Sequence, residues 1–212
     1  MERMYVISYL VALIKKQRIV NKHENMESFS LKNKSIIVTG GTGILGQSFI
    51  EAIIEAGGSV GILGRNASVA EARAEEVNKK GGKAIALIAD VMNEEQLRAA
   101  KDKALQAFGK IDGLVNGAGG NMPDGVLQPG VDIFALNLEG MKKVMDLNLW
   151  GSLYCTQIFG EAIVASGRGS IVNISSMASQ RAITRVLGYS MGKAAIDNYT
   201  QWFAVEIIYE LP

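Results

Sequence analysis

The sequence has few of the residues that form disulfides, metal sites and rigid turns: its 212 residues include one cysteine, one histidine and three prolines. The single cysteine, Cys155, excludes an intrachain disulfide and is typical of a reducing, cytoplasmic compartment. Because His23 is the only histidine, we expect no zinc or other metal site. The 22 Lys and Arg residues nearly balance 21 Asp and Glu. That balance predicts neither nucleic acid nor a membrane as a partner.

Long apolar runs are also missing. The run near the start, residues 5–14, is too short to span a bilayer as a helix. No small-residue cleavage site follows it, which argues against a secretory signal. Our hypothesis is that Met26 is the biological start and that residues 1–30 form an extension that is disordered or not native. A weak membrane-surface anchor is the alternative, and N-terminal sequencing of the native protein separates the two.

Residues 31–212 are predicted to form one domain, because 48% of the sequence is apolar and short apolar runs alternate with helical stretches. Such runs indicate parallel strands buried on both faces, and right-handed crossovers then place helices on both sides of the sheet. The sequence therefore predicts a Rossmann-like, doubly wound α/β fold. The predicted strands are residues 35–38, 59–63, 84–89, 111–116 and 169–174.

A glycine-rich turn, residues 39–46, joins the first predicted strand to the first predicted helix. Glycines let the backbone approach a pyrophosphate, and the helix N-terminus offers N–H donors and partial positive charge. The spacing of Gly41, Gly43 and Gly46 matches the dinucleotide fingerprint G-x-G-x-x-G. The predicted cofactor contacts in this turn are Gly40, Gly41, Thr42, Gly43, Ile44 and Gly46.

The second predicted strand ends in Gly64 and Arg65 rather than in an acidic residue. A carboxylate at this place would bind the ribose hydroxyls of NAD and repel the 2′-phosphate of NADP. Gly64 offers no such repulsion, and the planar guanidinium of Arg65 can pair with the phosphate. This favours NADP over NAD. The alternative is that Arg65 stacks on adenine and gives no preference.

Tyr189 and Lys193 lie four residues apart in the last predicted helix, a spacing that puts both side chains on one face. The cation favours the phenolate, which suits the tyrosine to proton transfer. Ser176, at the end of the fifth predicted strand, is placed to polarise a carbonyl that receives the proton. Together with the glycine-rich turn, this pattern indicates an oxidoreductase.

These motifs, in this order, resemble the short-chain dehydrogenase/reductase family from residue 34 to about 208. Asp90 and Val91 resemble the family's adenine-contacting pair, and residues 116–119 resemble its Asn-Asn-Ala-Gly motif, with Gly117 in place of the second asparagine. Asn148 matches the asparagine of the long fourth helix. The resemblance adds Asp90, Val91, Asn116, Ala118, Gly119, Tyr189 and Lys193 to the cofactor-binding residues.

The resemblance also implies the catalytic roles. Tyr189 would exchange a proton with the substrate oxygen as hydride passes to or from nicotinamide, and Ser176 would hydrogen-bond that oxygen. Lys193 would hold the nicotinamide ribose, and Asn148 would anchor a water that leads protons to Lys193. Ser175 competes with Ser176, but adjacent strand residues face opposite ways and the spacing to Tyr189 favours Ser176.

The sequence departs from the family pattern in three places. Ile44 stands where the family's loop has a glycine, and Gly192 replaces the serine or alanine before the lysine. The third departure is at the end, where the chain stops after the helix that carries Lys193. The resemblance implies further strands there, so we expect an unpaired edge on the fifth strand, low stability and weak or no activity. A comparison of melting temperature and turnover with an extended chain tests this expectation.

The substrate is predicted to be a small carbonyl compound or alcohol. The long loop at residues 120–131 resembles that of sugar-acid reductases of the fructuronate/mannonate type, and Asn121 and Gln128 carry groups that bind hydroxyls. Arg181 and Arg185 are candidates for a substrate carboxylate, although solvated loop charges explain them equally well.

Two other functions stay open, and the resemblance bears on assembly as well. One alternative is a truncated, inactive nucleotide-binding remnant of such an enzyme. The other, suggested only by the glycine spacing, is an epimerase or dehydratase. The resemblance implies a homo-oligomer with residues 138–166 and 188–209 at the interface. Apolar side chains there, such as Trp202 and Phe203, fit a core role equally well.

Overall fold

The computed structural model describes residues 29–210, with side chains as far as Ile207. The predicted extension, residues 1–30, and the proposed start at Met26 lie almost wholly outside the described residues. Five strands alternate with five helices, as the apolar pattern predicted. In chain order they are β1 (Ser35–Thr39), α1 (Ile44–Glu55), β2 (Ser59–Gly64), α2 (Ala67–Lys79), β3 (Lys83–Ile88), α3 (Glu94–Phe108), β4 (Gly113–Asn116), α4 (Leu138–Ala165), β5 (Ser170–Asn173) and α5 (Leu187–Glu210).

The strands form one parallel sheet in the order β3-β2-β1-β4-β5. The chain moves outward from β1 in one direction and then returns to its other side, so the order reverses between β1 and β4. In this register Val38 of β1 lies opposite Ile62 of β2 and Val115 of β4. The prediction of a Rossmann-like, doubly wound sheet is confirmed. Ligands bind such sheets at the carboxyl ends of the strands, next to the reversal.

Helices cover both faces of the sheet and produce two apolar cores. On one face, Ile50 and Ile53 of α1 and Ala70 of α2 pack against β1 and β2. On the other face, side chains of α3 and α4, among them Leu97 and Phe159, pack against the same strands and β4. α5 packs along α4, and its Phe203 packs against the core on that second face. None of the described helices has the length and apolar character that crossing a membrane requires.

Three short 3₁₀ turns were not predicted from the sequence: Pro123–Gly125, Ile133–Ala135 and Met177–Ser179. Each holds only three residues, too few for apolar periodicity to show. Side chains cap two of them, since Asp132 accepts from the Phe134 N–H and Ser176 accepts from the Ala178 N–H.

The two edges of the sheet differ within the described residues. At the β3 edge, the Asn78 side-chain amide donates to the Ala84 carbonyl and accepts from the Ala84 N–H. Lys103 covers the Ala86 carbonyl with its ammonium. These side chains occupy backbone groups that would otherwise pair with another strand. β5 forms the opposite edge and pairs only with β4 in the described sheet.

A buried carboxylate ties β1 to β4 at the amino ends of the strands, away from the carboxyl edge. Asp112 accepts from the Ser35 N–H at 2.9 Å, from Lys34 Nζ at 3.0 Å and from Lys110 Nζ at 2.8 Å. Its side chain is only 4% exposed. Burial by itself raises the pKa of Asp112, but the hydrogen bonds from Lys110, Ser35 and Lys34 outweigh it and hold the pKa below its usual value.

We predict that Asp112→Asn lowers the free energy of unfolding at pH 7 by about 1–3 kcal/mol, because it weakens bonds to a buried N–H and two ammonium groups. A depressed carboxyl pKa stabilises the fold above the unfolded value of about 3.9, and this stabilisation is lost as pH falls through the folded value. Urea unfolding at pH 7 and pH 3 should therefore show that the stability difference between the parent and Asp112→Asn is smaller at pH 3. The exposed Asp102→Asn is the control, and a deficit equal at both pH values would contradict the assignment.

Candidate active site

The parallel sheet brings the predicted site residues to one edge. Every loop that leaves the carboxyl end of a strand carries some of them: residues 40–46 after β1, 65 after β2, 90–91 after β3, 116–119 at the end of β4 and 176 after β5. α5 then supplies Tyr189 and Lys193. Residues far apart in the sequence thus converge because all five strands point the same way.

The glycines of the first loop are required by close backbone contacts. Gly40 has φ of +66°, and a Cβ there would lie 2.7 Å from the Gly117 carbonyl oxygen of the loop after β4. A Cβ on Gly46 would lie 2.3 Å from the Gly40 oxygen. Both contacts are too short for a side chain, so these positions accept only glycine without movement of the loop.

The N-terminus of α1 differs from those of the next three helices. Asn66, Asn93 and Asn137 cap α2, α3 and α4 with their side-chain oxygens. α1 begins after Gly43, which has no side chain and so gives no such cap. Free N–H groups and the helix dipole at this end suit an anion such as a pyrophosphate.

Ile44, the departure from the family pattern, is accommodated without steric conflict. It is the first residue of α1, and its side chain is 90% exposed beside Leu45, which is 50% exposed. Two exposed apolar side chains next to an uncapped helix end offer a surface for the apolar parts of a ligand.

Thr39 joins the first loop to the loop after β4. Its Oγ1 accepts from the N–H groups of Gly117 and Ala118, both at 3.1 Å. Thr39 lies in the predicted turn, but no role for it was predicted from the sequence. The hydroxyl thus ties residues 117 and 118 to the end of β1, where the glycine loop begins.

Asn116 lies beneath this edge rather than at its surface. It is 1% exposed, and its Nδ2 donates to Thr156 Oγ1 at 2.9 Å and Asn173 Oδ1 at 2.8 Å. Asn173 in turn donates to Thr200 Oγ1 of α5. This buried network joins β4 and β5 to α4 and α5, and it places Asn116 as a support for the loop that follows it.

Arg65 and Asp90 are brought together where the ends of β2 and β3 meet. The guanidinium lies 3.6 Å from the carboxylate, and the Arg65 side chain is 73% exposed. A Cβ on Gly64 would lie 2.7 Å from the Thr42 side chain, so Thr42 covers the end of β2. Val91 is buried and packs against Gly151 of α4.

Lys193 is a buried cation at the centre of the predicted catalytic group. It is 5% exposed, its Nζ donates to the Ile174 carbonyl at 2.7 Å, and it lies 5.6 Å from the centre of the Tyr189 ring. Burial lowers the pKa of Lys193 to about 8, although the charge of Asp197 opposes the shift. A lysine with this pKa can exchange a proton near neutral pH, as the ammonium that loses it or the amine that takes it.

Asn148 lies near Lys193 and hydrogen-bonds the backbone of two segments, its own helix and the loop after β4. Its Nδ2 donates to the carbonyls of Val144 and Gly120, each at 2.7 Å, and its Oδ1 accepts from the Gly120 N–H. A Cβ on Gly119 would lie 2.6 Å from that Oδ1 and 3.4 Å from Lys193 Nζ. The structure thus groups Asn148, Lys193 and the 119–120 backbone.

The two serines after β5 have different surroundings. Ser176 is half-buried, and its Oγ accepts from the Ala178 N–H at 3.2 Å, which leaves its hydroxyl hydrogen free to donate. Ser175 Oγ is buried and has no hydrogen-bond partner among the described residues. Of the two, Ser176 is the one with access to a ligand.

The substrate-loop residues are placed less favourably. Both amide hydrogens of Gln128 are used inside its own loop, on the Pro123 and Val126 carbonyls. Arg181 and Arg185 are exposed and line a cavity of about 530 Å³. Met191 of α5 lines the same cavity. The residues lining this cavity do not include Ser176, Tyr189 or Lys193.

Comparisons with known proteins support the same interpretation. The family model described as short chain dehydrogenase matches residues 34–210. The Bacillus subtilis oxidoreductase UxuB, whose activity is uncharacterised, is 35% identical over 191 residues, covering 86% of this chain and 67% of that protein. Escherichia coli 7alpha-hydroxysteroid dehydrogenase is 28% identical over 183 residues, covering 86% of this chain and 69% of that enzyme.

Solved structures agree with these relatives. A candidate D-mannonate oxidoreductase from Haemophilus influenzae with bound NAD superposes with a TM-score of 0.79 at 34% identity, covering 85% of this chain and 68% of that one. A Burkholderia cenocepacia gluconate 5-dehydrogenase in complex with NADP and tartrate gives 0.76 at 28% identity, with coverages of 85% and 68%. The chain spans about two thirds of the length of these relatives.

We predict that Lys193→Met raises the free energy of unfolding at pH 7 by about 1 kcal/mol, because methionine fills the space without a buried charge. The folded pKa of Lys193, about 8, lies below the unfolded value of about 10.4. Stability of the parent therefore rises between these pH values, since only the unfolded chain keeps the proton.

The advantage of the methionine variant should accordingly shrink from pH 8 to pH 10, as measured by urea unfolding. Lys142→Met, an exposed substitution in α4, serves as the control. A methionine variant that is less stable than its parent by the same amount at every pH would show that burying the Lys193 ammonium does not destabilise the fold.

Proposed function

Because the chain belongs to the short-chain dehydrogenase family, whose members are oxidoreductases, we propose that it binds a nicotinamide dinucleotide and interconverts a carbonyl group and a secondary alcohol. The observation that carries the proposal is the grouping of Asn148, Tyr189 and Lys193 at the edge of the sheet that also holds the glycine loop.

The residues at this edge fit a dinucleotide. The uncapped N-terminus of α1 suits the pyrophosphate, and the close approach of Gly40 and Gly117 keeps side chains out of that space. Arg65 and Asp90 stand at the end where the adenosine would lie, and Lys193 stands at the opposite end for the nicotinamide ribose. The residues proposed to contact the cofactor along the loops are Gly41, Thr42, Gly43, Ile44, Val91, Ala118 and Gly119.

The chain's own residues handle the proton. The bound nicotinamide supplies or accepts the hydride at the substrate carbon. In the reductive direction Tyr189 donates its phenolic proton to the carbonyl oxygen, and Ser176 donates a hydrogen bond to that oxygen as negative charge develops. Lys193, which is protonated in about half of the molecules near pH 8, then returns a proton toward the Tyr189 phenolate. Hydride and proton together convert the carbonyl to the alcohol.

NADP is proposed over NAD. Gly64 puts no carboxylate at the end of β2. The Arg65 guanidinium is exposed, and its ion pair with Asp90 shows that it can reach an anion at this place. Relatives do not decide between the two, since one solved structure holds NAD and another holds NADP.

The proposed substrate class is a hydroxylated acid. Support comes from the relatives, because one solved structure is described as a candidate D-mannonate oxidoreductase and another is a gluconate 5-dehydrogenase with bound tartrate. Mannonate and gluconate are both sugar acids. The competing proposal, a nucleotide-binding remnant without turnover, is kept as an outcome of the experiment below.

Assembly and location are also proposals. Leu187, Met191, Trp202 and Val205 are exposed on one side of α5, with one turn between the first two, one turn between the last two and about three turns between the pairs. An exposed apolar stripe of this kind suits the proposed homo-oligomer. The cytoplasm is proposed from the single, buried cysteine, whose pKa is raised by burial and whose thiol is therefore unreactive.

Titration of the purified chain with NADPH and NADH, followed by nicotinamide fluorescence, tests the proposal. We predict saturable binding that is tighter for NADPH, and we predict that Arg65→Gln weakens NADPH about tenfold without weakening NADH, because one charge-assisted phosphate contact is lost. Arg98→Gln, which removes an exposed arginine on α3, is the matched control. Equal effects of Arg65→Gln on both dinucleotides would reject the phosphate contact.

Turnover is tested separately with Tyr189→Phe. The variant should bind the dinucleotide as its parent does and lose at least a hundredfold in oxidation of mannonate or gluconate, because the group that takes the hydroxyl proton is gone. Binding in the parent with no turnover on any hydroxy acid would favour the remnant. The absence of binding by both dinucleotides in folded protein would overturn the proposed function.

A further inference from the structure

Arg73, in the middle of α2, reaches back to the glycine loop. Its Nη1 donates to the Gly41 carbonyl and, at 2.8 Å, to the Gly43 carbonyl. The two acceptors lie on either side of Thr42, so a single guanidinium spans the turn that the fingerprint glycines form. Arg73 was not predicted as a site residue, because it lies 30 or more residues away in the sequence from both carbonyls.

The other hydrogen bonds of this turn are few. The Gly41 N–H donates to the Leu63 carbonyl of β2, and the Gly43 N–H donates to the Gly40 carbonyl. The Gly43 carbonyl also accepts from the Gln47 N–H, the first bond of α1. Glycine peptides rotate easily, and none of these backbone bonds gives the Gly41 carbonyl a hydrogen-bond donor. Arg73 supplies the bond that fixes it.

The position of Arg73 separates it from Arg65. The Arg65 side chain is 73% exposed and pairs with Asp90, beyond the end of β2. Arg73 is half-buried, and its donors face backbone carbonyls rather than a carboxylate. A guanidinium held by two carbonyls acts on the loop itself, and the loop is common to NAD and NADP.

We propose that Arg73 is a positioning residue that holds residues 41–43 in the dinucleotide-binding conformation before the ligand arrives. The inference rests on the proposed function for its ligand but not for its geometry. Loss of the guanidinium releases the two carbonyls, and the loop then has to be ordered by the ligand during binding, which weakens binding. The loss is the same for NADH and NADPH, since Arg73 does not read the 2′-phosphate.

Hydrogen exchange of the ligand-free protein tests the geometry. In Arg73→Met, a peptide covering residues 40–47 should exchange at least fivefold faster than in the parent, because the Gly41 and Gly43 amides are protected only while the turn is closed. Arg73→Lys keeps a cation that reaches one carbonyl and should fall between the two. Arg98→Met, on α3, should leave this peptide unchanged.

Affinity tests the consequence for binding. Arg73→Met should weaken NADH and NADPH by the same factor, about tenfold, with Arg73→Lys recovering part of the loss. Unchanged exchange in the 40–47 peptide of Arg73→Met would overturn the inference. A loss confined to NADPH would overturn it as well, because it would place Arg73 on the 2′-phosphate.

The two failures are distinguishable. If the parent binds neither dinucleotide while Arg73→Met still opens the loop, the proposed function fails and the positioning role of Arg73 stands. If Arg73→Met does not fold, the exchange of Arg73→Lys decides: faster exchange in the 40–47 peptide supports the role, and unchanged exchange refutes it.

Discussion

The site depends on the contact between two loops that leave adjacent strands, β1 and β4. Gly40 and Gly117 meet backbone to backbone, and the Thr39 hydroxyl holds the N–H groups of Gly117 and Ala118. The order of the strands reverses at this pair, so no crossover helix fills the space above it. Every other element of the site is arranged around this contact, and a side chain at Gly40 would separate the loops before any ligand could bind.

Much of this arrangement could be predicted from the sequence, because its signals are local. Apolar runs predicted all five strands, and the glycines at 41, 43 and 46 placed the loop between β1 and α1. Contacts between distant residues could not be predicted. Arg73 looks like any charged residue of an exposed helix, and the side-chain partners of Asn116 lie on two other elements, α4 and β5. The apolar periodicity of a helix does not indicate which loop each of its turns faces.

The two ends of the strands differ in how completely some of their buried polar groups are hydrogen-bonded. At the amino ends of the strands, the Asp112 carboxylate has three donors and stabilises the sheet. At the carboxyl ends, Lys193 is buried with one carbonyl partner, and Ser175 Oγ is without a hydrogen-bond partner among the described residues. Groups whose hydrogen bonding is incomplete are costly for folding but available to a ligand. The proposed active site and the hydrogen-bonded Asp112 carboxylate therefore lie at opposite ends of one sheet.

The uncapped start of α1 has a consequence for the life of the protein in the cell. The next three helices carry their own asparagine caps, whereas α1 leaves its first N–H groups to be satisfied from outside. In the proposed function the phosphates of the cofactor complete this helix. Each tenfold excess of ligand over its Kd then adds about 1.4 kcal/mol to the folded state. The supply of the dinucleotide would thus regulate how much of the protein persists, as well as how fast it works.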